Sequence, residues 1–279
     1  ATASTLGHNA KEIMSKELLW SLEFDNGQGT LPDSAFWNHD IGDGTNNGIP
    51  GWGNQEREYY LDSAISEDGR GNLVIDANKV GLTENDPNSD LECYYGKAEW
   101  TSGKITTLDK VSFQYGRIEA RIRMPKGDGT WPAFWMLGTD IREVPWPSCG
   151  EIDIVEVKGS EPNGIFGTIH GPGYSGDKGS GVITDLGEES WKNFNTYAIE
   201  WSEDRIQWFL NDKLFLTRTP ADVAPNDWVY NKPFYMILNL AMGGNFTGDI
   251  DPSLTHAQLE VDWIRHYSID GVGQNWQHD

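Results

Sequence analysis

Three carboxylates stand close together at Glu151, Asp153 and Glu156, in the run Gly150-Glu151-Ile152-Asp153-Ile154-Val155-Glu156-Val157. The apolar residues among them, Ile152, Ile154, Val155 and Val157, mark a central, buried strand, where carboxylates without a task are costly. Glu151 and Asp153 share one face of a regular strand, but Glu156 lies an odd number of steps from Glu151 and would point the other way. A β-bulge around Ile154-Val155 supplies the extra residue that returns Glu156 to the same face, and bulges recur beside active sites. Two such acids with carboxyls about 5 Å apart can serve as nucleophile and as acid then base in retaining glycoside hydrolysis. Crowding supports that division of labour, because neighbouring carboxylates raise at least one pKa above the usual value of about 4.3. The competing reading is a solvated acidic edge, and the apolar neighbours weigh against it.

Other residues could complete such a site. The chain has 13 Trp and 32 Gly in 279 residues. Indoles fill cores, each aromatic burying roughly 150–250 Å², and they also stack on the apolar faces of sugar rings. Composition alone favours the core, but Trp131, Trp135 and Trp146 lie near the acids in sequence and Trp52 sits in a Gly-rich loop, where binding is the better use. Asn54, Glu56, Arg57 and Glu58 add loop side chains able to bond hydroxyls. No H-E-x-x-H, G-x-x-x-x-G-K or G-x-S-x-G run is present, since Gly173-Tyr174-Ser175-Gly176 has the wrong spacing.

The elements that position these residues read as strands. Ile118, Ala120, Ile122 and Met124 alternate with Arg117, Glu119, Arg121 and Arg123, giving one apolar and one polar face. The segment 205–219 reads as two strands joined at Asn211-Asp212, residues that tolerate the left-handed backbone of a two-residue hairpin turn. Further strands are expected at 73–78, 152–157, 167–170, 197–202, 234–241 and 259–267. Helical turns are expected only at 11–19 and 220–224, the second stopped by Pro225. The segments 42–53 and 85–90 read as long loops. The pattern is that of an all-β sandwich, taken as one domain over 1–279 with 1–18 as an N-terminal extension.

Lys plus Arg number 21 and Asp plus Glu 43, a formal net charge of -22. Nucleic acid or an anionic membrane would be repelled, so neither is expected as a partner. No uncharged apolar run approaches the roughly 18 residues of a membrane-spanning helix. Residues 1–15 show no basic start followed by an apolar stretch, and a start at Ala1 suggests a processed or trimmed chain. Two cysteines, Cys93 and Cys149, are too few for a disulfide scaffold.

With these motifs in hand, the sequence resembles family 16 of the glycoside hydrolases, and within it the bacterial laminarinases, which are endo-1,3-β-glucanases. The resemblance runs from Leu19-Trp20-Ser21-Leu22-Glu23-Phe24 through Trp52-Gly53-Asn54-Gln55-Glu56, Gly116-Arg117-Ile118-Glu119-Ala120-Arg121, Trp131-Pro132-Ala133-Phe134-Trp135 and Trp146-Pro147-Ser148-Cys149-Gly150-Glu151. It continues through Gly167-Thr168-Ile169-His170-Gly171-Pro172 to Val261-Asp262-Trp263-Ile264-Arg265. It implies a jelly-roll β-sandwich of two curved antiparallel sheets with a concave cleft. It also implies Glu151 as nucleophile, Glu156 as acid/base, Asp153 as the acid supporting the nucleophile, and Trp131, Trp135, Trp146, His170, Asn54, Glu56 and Trp52 as substrate contacts. A structural Ca2+ on the convex face, held by the Asp262 carboxylate and the carbonyls of Glu23 and Gly71, follows from the same resemblance, with no cofactor for catalysis. A secreted monomer acting on a neutral β-glucan is expected. Mixed-linkage glucanase, agarase, carrageenase and a non-catalytic lectin are the alternatives. Some relatives carry a short bridge from the position of Cys93 to that of Ala98, which cannot form here, and a Cys93 to Cys149 bridge is conceivable.

Overall fold

Alternating strands present one apolar face each, and the computed structural model, which describes residues 15–279, stacks those faces between two large sheets. The back sheet runs Lys213–Arg218, Arg205–Leu210, Asn195–Ser202, Gly116–Arg123, His256–Ile269, Leu73–Lys79, Trp100–Ser102 and Glu58–Tyr60. The acid-bearing sheet runs Ser180–Asp185, Gly164–His170, Glu151–Glu156, Thr130–Gly138, Phe234–Met242, Val111–Gln114 and Gln274–Gln277, with Lys104–Thr106 also paired to Phe234–Met242. Among the described residues the pairings are antiparallel except for Glu58–Tyr60 with Trp100–Ser102.

The core lies between the sheets. Ile118, Ala120 and Ile122 from one side meet Ile152, Ile154, Val155 and Val157 from the other, with Trp201 and Trp208 fully enclosed. Trp20, Trp37, Trp100, Trp201 and Trp208 are buried, so part of the Trp surplus is packing. The polar half of the Gly116–Arg123 alternation faces outward and is stitched across strands. Arg117 bonds Glu119 at 2.6 Å, Glu200 at 2.9 Å and Asp212 at 2.6 Å, while Arg123 bonds Glu260.

The expected hairpin forms, with Asn211 and Asp212 both at positive φ (48° and 63°) between Arg205–Leu210 and Lys213–Arg218. The expected turn at 220–224 is the short helix Pro220–Val223, whose Asp222 carboxylate accepts from the Thr219 backbone N–H at 2.7 Å. The helix expected at 11–19 is corrected in its described part. Lys16–Leu22 is a strand paired with His256–Ile269, and residues 11–14 lie outside the described residues. That partner is some 250 residues away in the chain, so local periodicity could not reveal it. The same strand takes up the end of the expected 1–18 extension. The Trp131 and Trp135 indoles, for which no strand was expected, lie on the central strand Thr130–Gly138. Cys93 and Cys149 are both buried free thiols, so they are not bridged.

Candidate active site

The register of the Glu151–Glu156 strand decides which of its side chains share a face. Against Thr130–Gly138, Glu156 pairs with Ala133 and Asp153 with Trp135, so three steps on one strand match two on the other. The same slip recurs against Gly164–His170, where Asp153 faces Thr168 and Glu156 faces Phe166. This is the expected bulge, and it puts Glu151, Asp153 and Glu156 on one face while Ile154 and Val155 stay in the core. At the bulge the Asp153 carbonyl accepts a 2.9 Å hydrogen bond from the indole N–H of Trp208, which reaches across from the back sheet.

Each acid has a distinct surrounding. Trp146 Nε1 donates to Glu151 Oε1 at 2.9 Å, and Trp131 Nε1 donates to Glu156 Oε2 at 3.0 Å. His170 Nε2 lies 3.0 Å from Asp153 Oδ2 and 3.5 Å from Glu151 Oε2. Gly179 makes room for that imidazole, since a Cβ there would come within 2.5 Å of His170 Cε1. Burial, reinforced by the charge of Glu151, pushes the Glu156 carboxyl up to about 7. Asp153, only 1% exposed, is held well above the usual carboxylate range by burial and then by the charges of Glu151 and Glu156. An acid protonated near neutrality beside a second carboxylate is the pairing that general acid and nucleophilic catalysis require.

The aromatic expectations divide. Trp131 and Trp135 are half-buried on the acid-bearing face, and Trp146 is exposed beside His170, at 6.4 Å between ring centroids. Trp131 also packs against Phe246, with ring centroids 4.8 Å apart and planes tilted by 33°, a residue the sequence reading missed. Trp52 is half-buried, with Lys104 Nζ 3.9 Å above its ring. Asn54 Nδ2 donates to Glu56 Oε2 at 2.8 Å, and Glu56 is buried rather than displayed on the loop. Also missed were Tyr60, Lys104, Asn239 and Trp208, while Glu58, read as a loop side chain, is fully buried on the strand Glu58–Tyr60. Asn239 left a signal, as the one amide in the otherwise apolar run Phe234–Met242.

The metal expectation concerns a different region. Leu22 pairs with Ile264 and Leu73 with Val261, so Glu23 and Gly71, each just beyond its strand pairing, flank Asp262-Trp263 from either side. The Glu23 carboxylate is turned to Arg265 Nε at 3.0 Å, leaving its carbonyl as the candidate ligand. Asp262 Oδ2 accepts from Arg121 Nη1 at 2.8 Å. An oxygen-only set of one carboxylate and two carbonyls suits a hard cation, with Arg121 as its competitor.

Residues 57–265 match the description of Glycosyl hydrolases family 16. A protein of Niallia circulans named glucan endo-1,3-beta-glucosidase A1 is 35% identical over 91% of this chain, which spans only 38% of that protein's length. A Rhodothermus marinus beta-glucanase is 38% identical over 90% of this chain and 85% of its own length. Among solved structures, the laminarinase catalytic domain of Thermotoga maritima superposes with a TM-score of 0.83 at 40% identity, covering 91% of this chain and 98% of that one.

Proposed function

The chain belongs to family 16 of the glycosyl hydrolases, and on that premise we propose that it is a retaining endo-1,3-β-glucanase acting on laminarin-type glucans. The observation that carries the proposal is the placement of Glu151, Asp153 and Glu156 on one face by the bulge, with Glu156 titrating near neutrality. Glu156 gives its proton to the glycosidic oxygen as that bond breaks, and Glu151 attacks the anomeric carbon to form a covalent glycosyl-enzyme. The ionised Glu156 then takes a proton from water, which displaces Glu151 and regenerates the acid. Asp153, held well above the usual carboxylate range by burial and by the two Glu charges, supports Glu151 and with His170 fixes its direction. Trp131, Trp135 and Trp146 supply faces for successive sugar rings, with Trp52 and Asn54 at the more distant end of the cleft.

A surface of net charge -22 favours a neutral glucan over sulfated galactans. A polymer substrate meets its hydrolase outside the cell, which supports a secreted enzyme, and we take it to act as a monomer. Calcium at Asp262, Glu23 and Gly71 would join strand ends and has no part in the chemistry.

The test is stereochemical. Glu156→Ala, given an activated aryl β-glycoside and azide, should yield a β-glycosyl azide, and Glu151→Ala the α-anomer. An inverted product from the wild-type enzyme overturns the mechanism. Preferential cleavage of agarose or carrageenan over laminarin overturns the substrate.

A further inference from the structure

Beyond the three acids, a second pair of carboxylates is enclosed. Glu58 is fully buried and Glu56 nearly so. Both reach the Tyr60 hydroxyl, which lies 3.4 Å from Glu56 Oε1 and 3.4 Å from Glu58 Oε1. Glu56 Oε2 accepts from Asn54 Nδ2, and Glu58 Oε1 accepts from the Met242 backbone N–H at 3.0 Å. Glu58 Oε2 is buried with no donor. The Tyr60 oxygen itself accepts from Asn239 Nδ2 at 3.1 Å, and Asn239 Oδ1 accepts from Trp135 Nε1 at 2.8 Å. Trp135 in turn is the cross-strand partner of Asp153.

The charges facing this pair do not balance two anions. Lys104 is the neighbouring cation, and its Nζ is already 3.3 Å from Asp40. Tyr60 and Tyr94 add phenols and no positive charge. Two ionised carboxylates here would leave one buried charge uncompensated, which a protein interior strongly disfavours. Tyr60 has a single O–H proton to offer, so a second donor is also missing.

We infer that Glu56 and Glu58 hold one proton and one charge between them, and that Glu58 is a positioning residue acting through Glu56 on Asn54 and through Tyr60 and Asn239 on Trp135. The proton rests on Glu58 and is donated to Glu56, which completes both counts. Burial followed by the Glu56 charge holds Glu58 well above the usual carboxylate range, in keeping with this placement. Every donor in the chain Trp135, Asn239, Tyr60 then points toward the single anion at Glu56. Ionising Glu58 would set two anions against each other and release Asn54 and Trp135 from their settings.

The kinetic consequence rests on the glucanase reading, whereas the protonation state does not. Infrared difference spectra of wild type against Glu58→Gln at pH 6 should show a carboxylic acid C=O band that the variant lacks. Glu58→Gln, whose amide N–H replaces the acid O–H, should keep the KM for laminarin near the wild-type value. Glu58→Met, similar in size and without a donor, should raise KM roughly tenfold with kcat little changed, the effect expected when a buried carboxylate loses a charged hydrogen bond. Absence of the band overturns the inference, as does a KM in Glu58→Gln raised as far as in Glu58→Met. Should Glu58→Met fail to fold, the band still decides, and a wild type inert on laminarin removes the glucanase reading alone.

Discussion

Glu156 is subject to two opposing influences that can be separated by one atom. Burial and the nearby Glu151 charge raise its pKa to about 7, while the Trp131 indole N–H bonds the ionised carboxylate and lowers it. As the general acid must be protonated in the free enzyme, kcat/KM should fall on the alkaline side of a pKa near 7. Trp131→Phe keeps an aromatic face for the sugar and removes the N–H, so the ionised form loses a partner and the pKa moves upward. The alkaline limb of kcat/KM should therefore shift to higher pH in Trp131→Phe, as a pH–rate profile on a short aryl glycoside would read. A limb that stays in place, or moves down, would detach Trp131 from the acid.

The bulge is a property of two sheets rather than of one strand. The odd spacing of Glu151 and Glu156 made it legible in the sequence, because only an inserted residue reconciles those acids with a buried apolar partner set. What holds it was not legible. Trp208 comes from the back sheet, 55 residues from the Asp153 carbonyl it bonds, and nothing in local alternation distinguishes it from any other core indole. Trp208→Phe fills nearly the same space but leaves that buried carbonyl short of a donor, at a cost of about 1–3 kcal/mol. We expect a lower melting temperature together with a kcat reduced about tenfold and a KM nearly unchanged, since a small displacement of the acids acts on the transition state. Full kcat in a destabilised Trp208→Phe would show that the bulge keeps its geometry unaided. The Thr130–Gly138 strand was hidden for another reason. Pro132 argues against a central strand, yet it pairs with Leu240 and its carbonyl accepts from Val157 N–H at 3.3 Å. The Glu58–Tyr60–Asn239 chain likewise joins segments some 180 residues apart, which alternation along one segment cannot connect.

At the scale of the whole molecule, a net charge of -22 works against compactness through self-repulsion, and the outer face of the back sheet offsets part of it locally. Arg117, Arg121, Arg123 and Arg265 each meet acids from neighbouring strands, and Arg265 also lies 3.9 Å from the centre of the Trp263 ring. General screening and a specific cation would both stabilise such a chain, so they must be told apart at constant ionic strength. Calcium held by Asp262 and the Glu23 and Gly71 carbonyls would bind the folded state alone, because only folding brings these three distant segments together. At a hundredfold excess over its dissociation constant it would add about 2.7 kcal/mol. In sodium chloride of matched ionic strength, calcium should then raise the melting temperature by several degrees with little change in kcat. Asp262→Ala should abolish the increment while lowering the calcium-free melting temperature only slightly, since the Arg121–Asp262 pair it breaks is half-exposed and contributes about 0–1 kcal/mol. Equal melting temperatures in calcium and in chelator, at one ionic strength, would leave screening as the whole effect and remove the metal from the fold.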